Sequence, residues 1–386
     1  MTAKALAHLR FPVTSSLGRR YPEPPHPYRN EFQRDRDRII HARAFRRLED
    51  KTQVFASGVV DDHLRNRLTH TLEVAQIART VASVLGLDEE LTEVLALSHD
   101  IGHPPFAHAG EEELNRVMRQ YGDRFDHNLH SLRIVEKFEQ RYARFPGLNL
   151  TFEVREGIAK HSRDFELGEF PELDEYLPGL RPPLEAQIID LADEIAYNTA
   201  DLDDGFASGM FDLDDLSANV PVLGQLIEAV QTMYAGAPPR LQFFESQRGL
   251  IDHLVTGLIQ GIWLNTEASG VPDVDAVRRH PGRLAAFDKE SAETNRKLKA
   301  FLADRLYSSP QLVEERQQGV RMISELFDAL VSDPSQLPPW WEETEEPVHR
   351  RVCDYIAGMT DGYCRRVYSQ VVLQSSSSEG SLPWVT

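Results

Sequence analysis

The sequence predicts an all-α, mostly helical protein. Apolar residues recur at helical spacing between Asn66 and Leu85, where Leu68, Leu72, Ala75, Val81 and Leu85 fall on helical repeats. Helical patterning returns at 241–264, 286–306 and 311–331, and again from Glu346 to Val372. β-favouring stretches are scarce; Thr52-Gln53-Val54-Phe55 ahead of Gly58 suggests no more than a short strand or loop. No internal repeat is visible.

The 386 residues are enough for a large core and suggest two to three domains. Residues 1–29 are Pro- and Arg-rich and read as an extended N-terminal arm. Residues 30–235 form the expected core, 236–373 a C-terminal helical region, with the shift near Gly236-Ala237-Pro238-Pro239. The Ser-rich segment 374–386 reads as a disordered tail.

Taken in order, a helix is expected from Asn30 to about Asp50. Arg36, Ile40, Arg43 and Arg47 fall on one stripe of it. Such arginines are most often solvated surface, but Arg46-Arg47 beside a metal site would offer phosphate ligands. The helix 66–85 carries His70, and a lone histidine on an apolar helix is more often a core residue than a ligand. Gly86 and Asp88 end that helix and start the next, Glu89 to Asp100. Two helices joined by so short a turn pack antiparallel, which brings His70 to the same end of the pair as His99-Asp100.

That end opens into His99-Asp100-Ile101-Gly102-His103-Pro104-Pro105-Phe106-Ala107-His108-Ala109-Gly110-Glu111, with three further polar groups beyond the first two. A buried helix does not end in this way for packing reasons alone. After another short helix, His127, Asn128 and His130 precede an expected helix 132–142; they either cap it or touch substrate. Thr151 to His161 is a helix carrying Lys160, and 163–183 a Pro-, Gly- and acid-rich connection. From Leu184 a further helix sets Asp190, Asp193, Tyr197 and Asp201 on one side. An exposed acidic face is the plain reading; carboxylates buried beside a tyrosine hydroxyl would need a purpose.

The composition narrows the chemistry. A net charge of −19, from 61 acidic against 42 basic residues, argues against a double-stranded nucleic-acid binder but leaves room for a small anion in a locally basic cleft. No apolar run suits a membrane span, and the N-terminus lacks the apolar stretch of a signal peptide. Cys353 and Cys364, the two cysteines, lack metal or redox spacing and read as reduced thiols of a cytoplasmic protein. GxxxxGK[ST], GxSxG, HExxH and GxGxxG units are missing. His70, His99, Asp100 and one carboxylate of the 190–201 helix would form a shell suited to Mn, Mg, Fe, Co, Ni or Zn, without choosing among them. A divalent ion so held polarises a phosphoryl oxygen and acidifies water. Hydrolysis of a phosphoester or phosphoanhydride uses the most of these residues.

The spacing His70…His99-Asp100…Asp193 resembles the H…HD…D signature of HD-domain phosphohydrolases. Arg46-Arg47-Leu48, 66–74, His99 to Glu111, 191–197 and Asp354-Tyr355-Ile356-Ala357-Gly358-Met359-Thr360-Asp361 resemble the bacterial dGTP triphosphohydrolase-like family. The resemblance implies an HD-domain helical core with additional C-terminal helices. It also implies hydrolysis of dGTP, or of deoxynucleoside triphosphates more broadly, to deoxynucleoside and inorganic triphosphate. On it, His70, His99, Asp100 and Asp193 hold the metal, and His108 and Glu111 are the catalytic pair. Arg47, Arg67 and Lys160 grip phosphates, while Tyr197 and Asp201 face sugar and base. His103 touches the attacking water or only braces its turn. Some relatives need an activating nucleotide at a subunit interface, and a homo-oligomer, tetramer or hexamer, is implied. Two departures stand out. Ala107 replaces a glycine of many relatives, a change suited to a backbone that is not left-handed. The insert before Asp193 is short, so loops that set base specificity in longer relatives would be missing. The rival readings are an HD phosphodiesterase or nucleotidase acting on another phosphoester, and a non-catalytic nucleotide sensor.

Overall fold

The computed structural model describes residues 5–51, 65–339 and 345–373. The expected strand or loop at 52–58 and the tail 374–386 lie outside them. In chain order the helices are α1 (Glu31–Ile40), α2 (Arg43–Arg47), α3 (Arg67–Leu85), α4 (Glu89–Ser98), α5 (Ala107–Arg119), α6 (His127–Arg133), α7 (Phe152–Lys160), α8 (Leu184–Ala207), α9 (Leu213–Asn219), α10 (Pro221–Met233), α11 (Pro239–Ser269), α12 (Val274–Arg279), α13 (Lys289–Leu302), α14 (Pro310–Ser332), α15 (Val348–Ala357) and α16 (Asp361–Tyr368). Among the described residues there is no strand, only an isolated antiparallel bridge between Arg19 and Thr151. The all-α expectation is met. None of the described helices is long and apolar enough to cross a membrane.

The chain divides into two compact units that interleave in sequence. One comprises Met1–His41, Thr69–His99 and Asn149–Ser309; the other Ala42–Leu68, Asp100–Leu148 and Pro310–Thr386.

In the first unit α4 is the central post. Asp88 caps it, accepting from the N–H groups of Glu90 and Leu91, and Leu91, Val94, Leu95, Ala96 and Leu97 are all buried. It packs on α1, α7 and α8. Gly157 of α7 permits the close approach to α4: a Cβ there would lie 2.2 Å from Leu95 Cδ2. The N-terminal arm is docked on this unit rather than merely extended. Leu6, Leu9 and Phe11 are buried, and Phe11 N–H donates to Glu185 Oε1 at 2.9 Å. Arg19 pairs with Asp35, whose carboxylate also accepts from the Thr151 hydroxyl at 2.7 Å. Helices α9 to α11 and α13 complete the unit beyond α8.

In the second unit α5, α14, α15 and α16 enclose an apolar core. Leu114, Val117, Ile323, Leu326, Phe327, Val352 and Ile356 meet there, with the free thiols of Cys353 and Cys364. Arg133 clasps the buried Asp354 at 2.5 Å.

Two helices differ from expectation. The 30–50 helix breaks after Ile40, because Ala42 is extended (ψ 149°) and restarts the chain as α2. The arginine stripe is thereby split: Arg36 belongs to the first unit and pairs with Glu93, while Arg43 and Arg47 belong to the second. The expected 132–142 helix begins earlier, at His127, and ends in a π-turn at Ile134–Phe138. The chain folds back there: Leu148 N–H donates to Val135 O at 2.6 Å. Gly147, at φ +68°, lies where a Cβ would be 2.4 Å from that same oxygen.

Candidate active site

Each unit carries its own group of polar side chains. In the first, α3 carries His70, the end of α4 presents His99, and α8 presents Asp193; both imidazoles are buried. His70 Nε2 lies 2.6 Å from Asp193 Oδ1, and His99 Nε2 lies 3.6 Å from the same oxygen. The ring centroids of the two histidines are 6.2 Å apart. His99 Nδ1 sits 2.7 Å from Ala96 O, a geometry that assigns the ring proton to Nδ1 as donor. His99 Nε2 is thus the ring atom that faces the Asp193 carboxylate. The donor set of two imidazoles and a carboxylate suits a divalent cation. His70, His99 and Asp193 together form a group that could hold a divalent metal, and Asp100 follows His99 by one peptide bond. Burial of the Asp193 carboxyl works to raise its pKa, but hydrogen bonding and charge from His70 and His99 outweigh it and hold it well below the usual range.

The acidic side of α8 runs on from that group. Burial and the charge of Asp193 push Asp190 up to about 6. Tyr197 meets the edge of the His70 ring at 6.4 Å and stacks on Tyr307 at 6.1 Å. Tyr307 donates its hydroxyl to the buried Asp201. His161 stands edge-on to His99 at 5.6 Å. Tyr307 was not singled out by the sequence; it lies in a π-turn more than a hundred residues from its partner, and no local pattern announces it. Lys160 is fully buried, and its ammonium donates to Glu156 (3.2 Å), Leu177 O (2.7 Å) and Leu180 O (2.9 Å). With its three protons engaged, it reaches a phosphate only by breaking one of these bonds.

In the second unit, the turn 100–107 and the first turn of α5 gather the remaining groups. His103 Nδ1 lies 2.9 Å from Asp100 Oδ1, and Arg67 Nη1 donates to Asp100 Oδ2 at 2.5 Å. His103, His108 and Glu111 bring ligand-type atoms within 4.8 Å of one another. His108 is two-thirds exposed (67%), whereas His103 is buried. The His103 ring stacks on His127 at 4.0 Å. His127 in turn contacts Glu111 Oε1 through its backbone N–H (2.9 Å) and Nδ1 (2.8 Å). Burial opposes charge on both partners, yet each charge favours the other, so Glu111 is held far below its ordinary pKa and His127 is raised. Burial, with the Arg67 cation second, drives His103 down, so it is neutral beside a charged neighbour. Lys51 donates to His103 O; burial, with Arg47 and Arg67 nearby, brings it down to about 7. Asn128 is buried in the first turn of α6, which Asp126 caps. Arg47 donates to Gly358 O at 2.8 Å. Phe106 and Ala107 both have positive φ, +63° and +55°. The backbone at Ala107 is therefore left-handed, a conformation that favours glycine, contrary to the expected backbone.

The sequence matches the HD domain model over residues 67–198 and the phosphohydrolase-associated domain model over 285–370. It is 45% identical over 373 residues to a deoxyguanosinetriphosphate triphosphohydrolase-like protein of Azoarcus sp. (strain BH72), covering 96% of this chain and 97% of the relative. The chain belongs to the deoxyguanosinetriphosphate triphosphohydrolase-like family. Members from Thiobacillus denitrificans (46% identical, 93% of this chain and 95% of the relative) and Geobacter sulfurreducens (45%, 90% of each) align over similar spans. This family member is accordingly an HD-domain hydrolase, and its His70, His99, Asp100 and Asp193 all lie within the HD match.

Proposed function

We propose that the chain hydrolyses a deoxynucleoside triphosphate, dGTP or a broader set, to the deoxynucleoside and inorganic triphosphate. The observation that carries this reading is the convergence of His70 and His99 on the Asp193 carboxylate, in a chain whose relatives are named for dGTP triphosphohydrolases. His70, His99, Asp100 and Asp193 would hold a divalent metal, which supplies Lewis-acid polarisation of the phosphate and acidifies water. The chain's own residues do the rest. Glu111, ionised and pinned by His127, stands 3.9 Å from His108 Nδ1 and orients that ring. His108 gives its proton to the 5′-oxygen as the bond from that oxygen to the α-phosphorus breaks, and water supplies the new oxygen on that phosphorus. The proton lost by the water replaces the one His108 gave. Arg67 and Arg47 would grip the phosphates, Tyr197 and Asp201 would face the sugar and base, and Asn128 would touch the substrate. Lys160 contributes by fixing the end of α7 rather than by direct contact.

This reading also carries a homo-oligomer, a tetramer or hexamer, an activating nucleotide at its interface, and a cytoplasmic location. Residues 30–235 would serve as the phosphohydrolase core and 236–373 as its helical companion. A panel of deoxynucleoside triphosphates, assayed with Mn, Mg, Fe, Co, Ni or Zn and with or without a second nucleotide, tests the substrate and activator together. Release of inorganic triphosphate in at least one arm is expected. Orthophosphate or a nucleoside monophosphate as the product would replace this reading with an HD nucleotidase or phosphodiesterase. No turnover in any arm would favour a nucleotide sensor.

A further inference from the structure

The segment Asp354–Asp361 is one of the blocks that mark the family resemblance, yet none of the roles above uses it. Within the second unit it lies against the turn that leads to His108. Ala357 O accepts from Lys51 Nζ at 3.3 Å, and the same ammonium donates to His103 O. Gly358 O accepts from Arg47. Asp361, at the start of α16, accepts the Phe106 N–H on Oδ1 at 3.0 Å and is 7% exposed.

That last bond falls where the backbone is hardest to hold. Phe106 and Ala107 are successive non-glycine residues with φ of +63° and +55°. A left-handed residue with a Cβ is disfavoured, because the Cβ crowds the following carbonyl oxygen. Such a pair persists only where its surroundings over-determine it. Packing supplies part of that constraint. A Cβ on Gly319 would lie 2.7 Å from Phe106 Cγ, and one on Gly110 would lie 1.9 Å from Pro105 O, so both glycines are needed for the turn to sit. Arg365 covers the Phe106 ring at 5.1 Å. These contacts fix the ring and the following helix, whereas Asp361 fixes the peptide that enters the turn. His108 is the next residue after Ala107, and Glu111 lies one helical turn on.

We propose that Asp361 is a positioning residue: its carboxylate holds the left-handed Phe106–Ala107 turn and thereby aims His108 and Glu111. The assignment of those two as the reacting pair rests on the function proposed above; the hold on the turn does not. Asparagine keeps an acceptor for the Phe106 N–H, whereas alanine removes it. Glycine at position 107 occupies the left-handed region without the Cβ penalty, so it relieves the need for the hold.

The test uses the full chain in four forms: wild type, Asp361→Ala, Asp361→Asn, and Asp361→Ala with Ala107→Gly. Steady-state kinetics on the deoxynucleoside triphosphate that turns over best are combined with hydrogen exchange of the 103–111 peptide without nucleotide. The alanine form should lose about 10- to 100-fold in kcat with little change in KM, and its 103–111 amides should exchange faster. The asparagine form should stay near wild type in both, and Ala107→Gly should recover several-fold of the lost kcat. If the alanine form does not fold, Asp361→Glu, which displaces the acceptor while keeping its charge, takes its place with and without Ala107→Gly. Wild-type kcat in the alanine or glutamate form, or a loss that Ala107→Gly leaves untouched, overturns the proposal. A wild-type protein inactive on every deoxynucleoside triphosphate refutes the reaction instead. The exchange data then decide the hold alone, and unchanged 103–111 protection in the alanine or glutamate form refutes it.

Discussion

His127 holds Glu111 twice, donating to the same carboxylate oxygen from its backbone N–H and from its ring. The backbone bond survives any substitution, so the ring bond can be tested by itself. His127→Ala should lower kcat by about 10- to 100-fold, the range that a hydrogen bond to a charged group represents. Metal content, measured on the same samples, should not change. The His127 pKa is raised by Glu111, so the pairing stabilises the fold fully below the ordinary imidazole pKa and loses that effect as pH rises through the raised one. The melting-temperature gap between wild type and His127→Ala should therefore be widest near pH 6 and narrow toward pH 9.

Glu185 offers a pH test remote from the reacting pair. Its Oε1 accepts the N–H groups of Phe11 and Asp88, while Oε2 is buried with no hydrogen-bond partner among the described residues. Burial pushes it up to about 7 despite those donors. The folded state thus keeps a proton that the unfolded chain releases at lower pH, so the wild type loses stability as pH rises from about 4.5 to about 7. Glu185→Gln keeps the acceptor and does not titrate. Thermal or urea melts should show the variant gaining on wild type across that window, by up to about 3 kcal/mol, with a constant gap above it. A gap independent of pH would mean that Glu185 is ionised in the fold.

Gly110 should tolerate no side chain. A Cβ there meets the backbone oxygen of Pro105, which cannot step aside as a side chain would. Gly110→Ala should cost about 1–3 kcal/mol by overpacking and lower activity with it. Gly236→Ala, at a site with open space, is the matched control and should leave the melt within about 1 kcal/mol of wild type.

What the sequence revealed was local. The apolar period of α3, the Asp88 cap of α4 and the polar run after Ser98 are each written within a dozen residues. They were enough to set His70 and His99 at one end of a helix pair. The stripe Asp190, Asp193, Tyr197 and Asp201 was legible for the same reason, since α8 is unbroken across it. The break at Ala42 was not, because no glycine or proline marks it and the helical arginine pattern runs straight through. Nor could the sequence join Tyr307 to Asp201, or Asp361 to Phe106 across 255 residues. The left-handed pair at 106–107 is hidden because the usual signal, glycine, stands at neither position. Lys160 shows the other side of this: its three acceptors, Glu156 and the carbonyls of Leu177 and Leu180, are not written in its local pattern.

The metal assignment predicts a specific loss. His70→Ala removes one imidazole from the group around Asp193, so purified protein should carry markedly less divalent metal than wild type by elemental analysis. Its circular dichroism should be unchanged. Dialysis of the wild type against a chelator should abolish hydrolysis, and added divalent metal should restore it. Wild-type metal content in His70→Ala would remove that residue from the ligand set.

The most direct test of the reaction is where the oxygen of water goes. Turnover of a deoxynucleoside triphosphate in ¹⁸O-labelled water, followed by mass spectrometry of the products, should place one ¹⁸O in inorganic triphosphate and none in the deoxynucleoside. That result requires attack at the α-phosphorus with departure of the 5′-oxygen. Label in orthophosphate, in a nucleoside monophosphate or in the deoxynucleoside would contradict it.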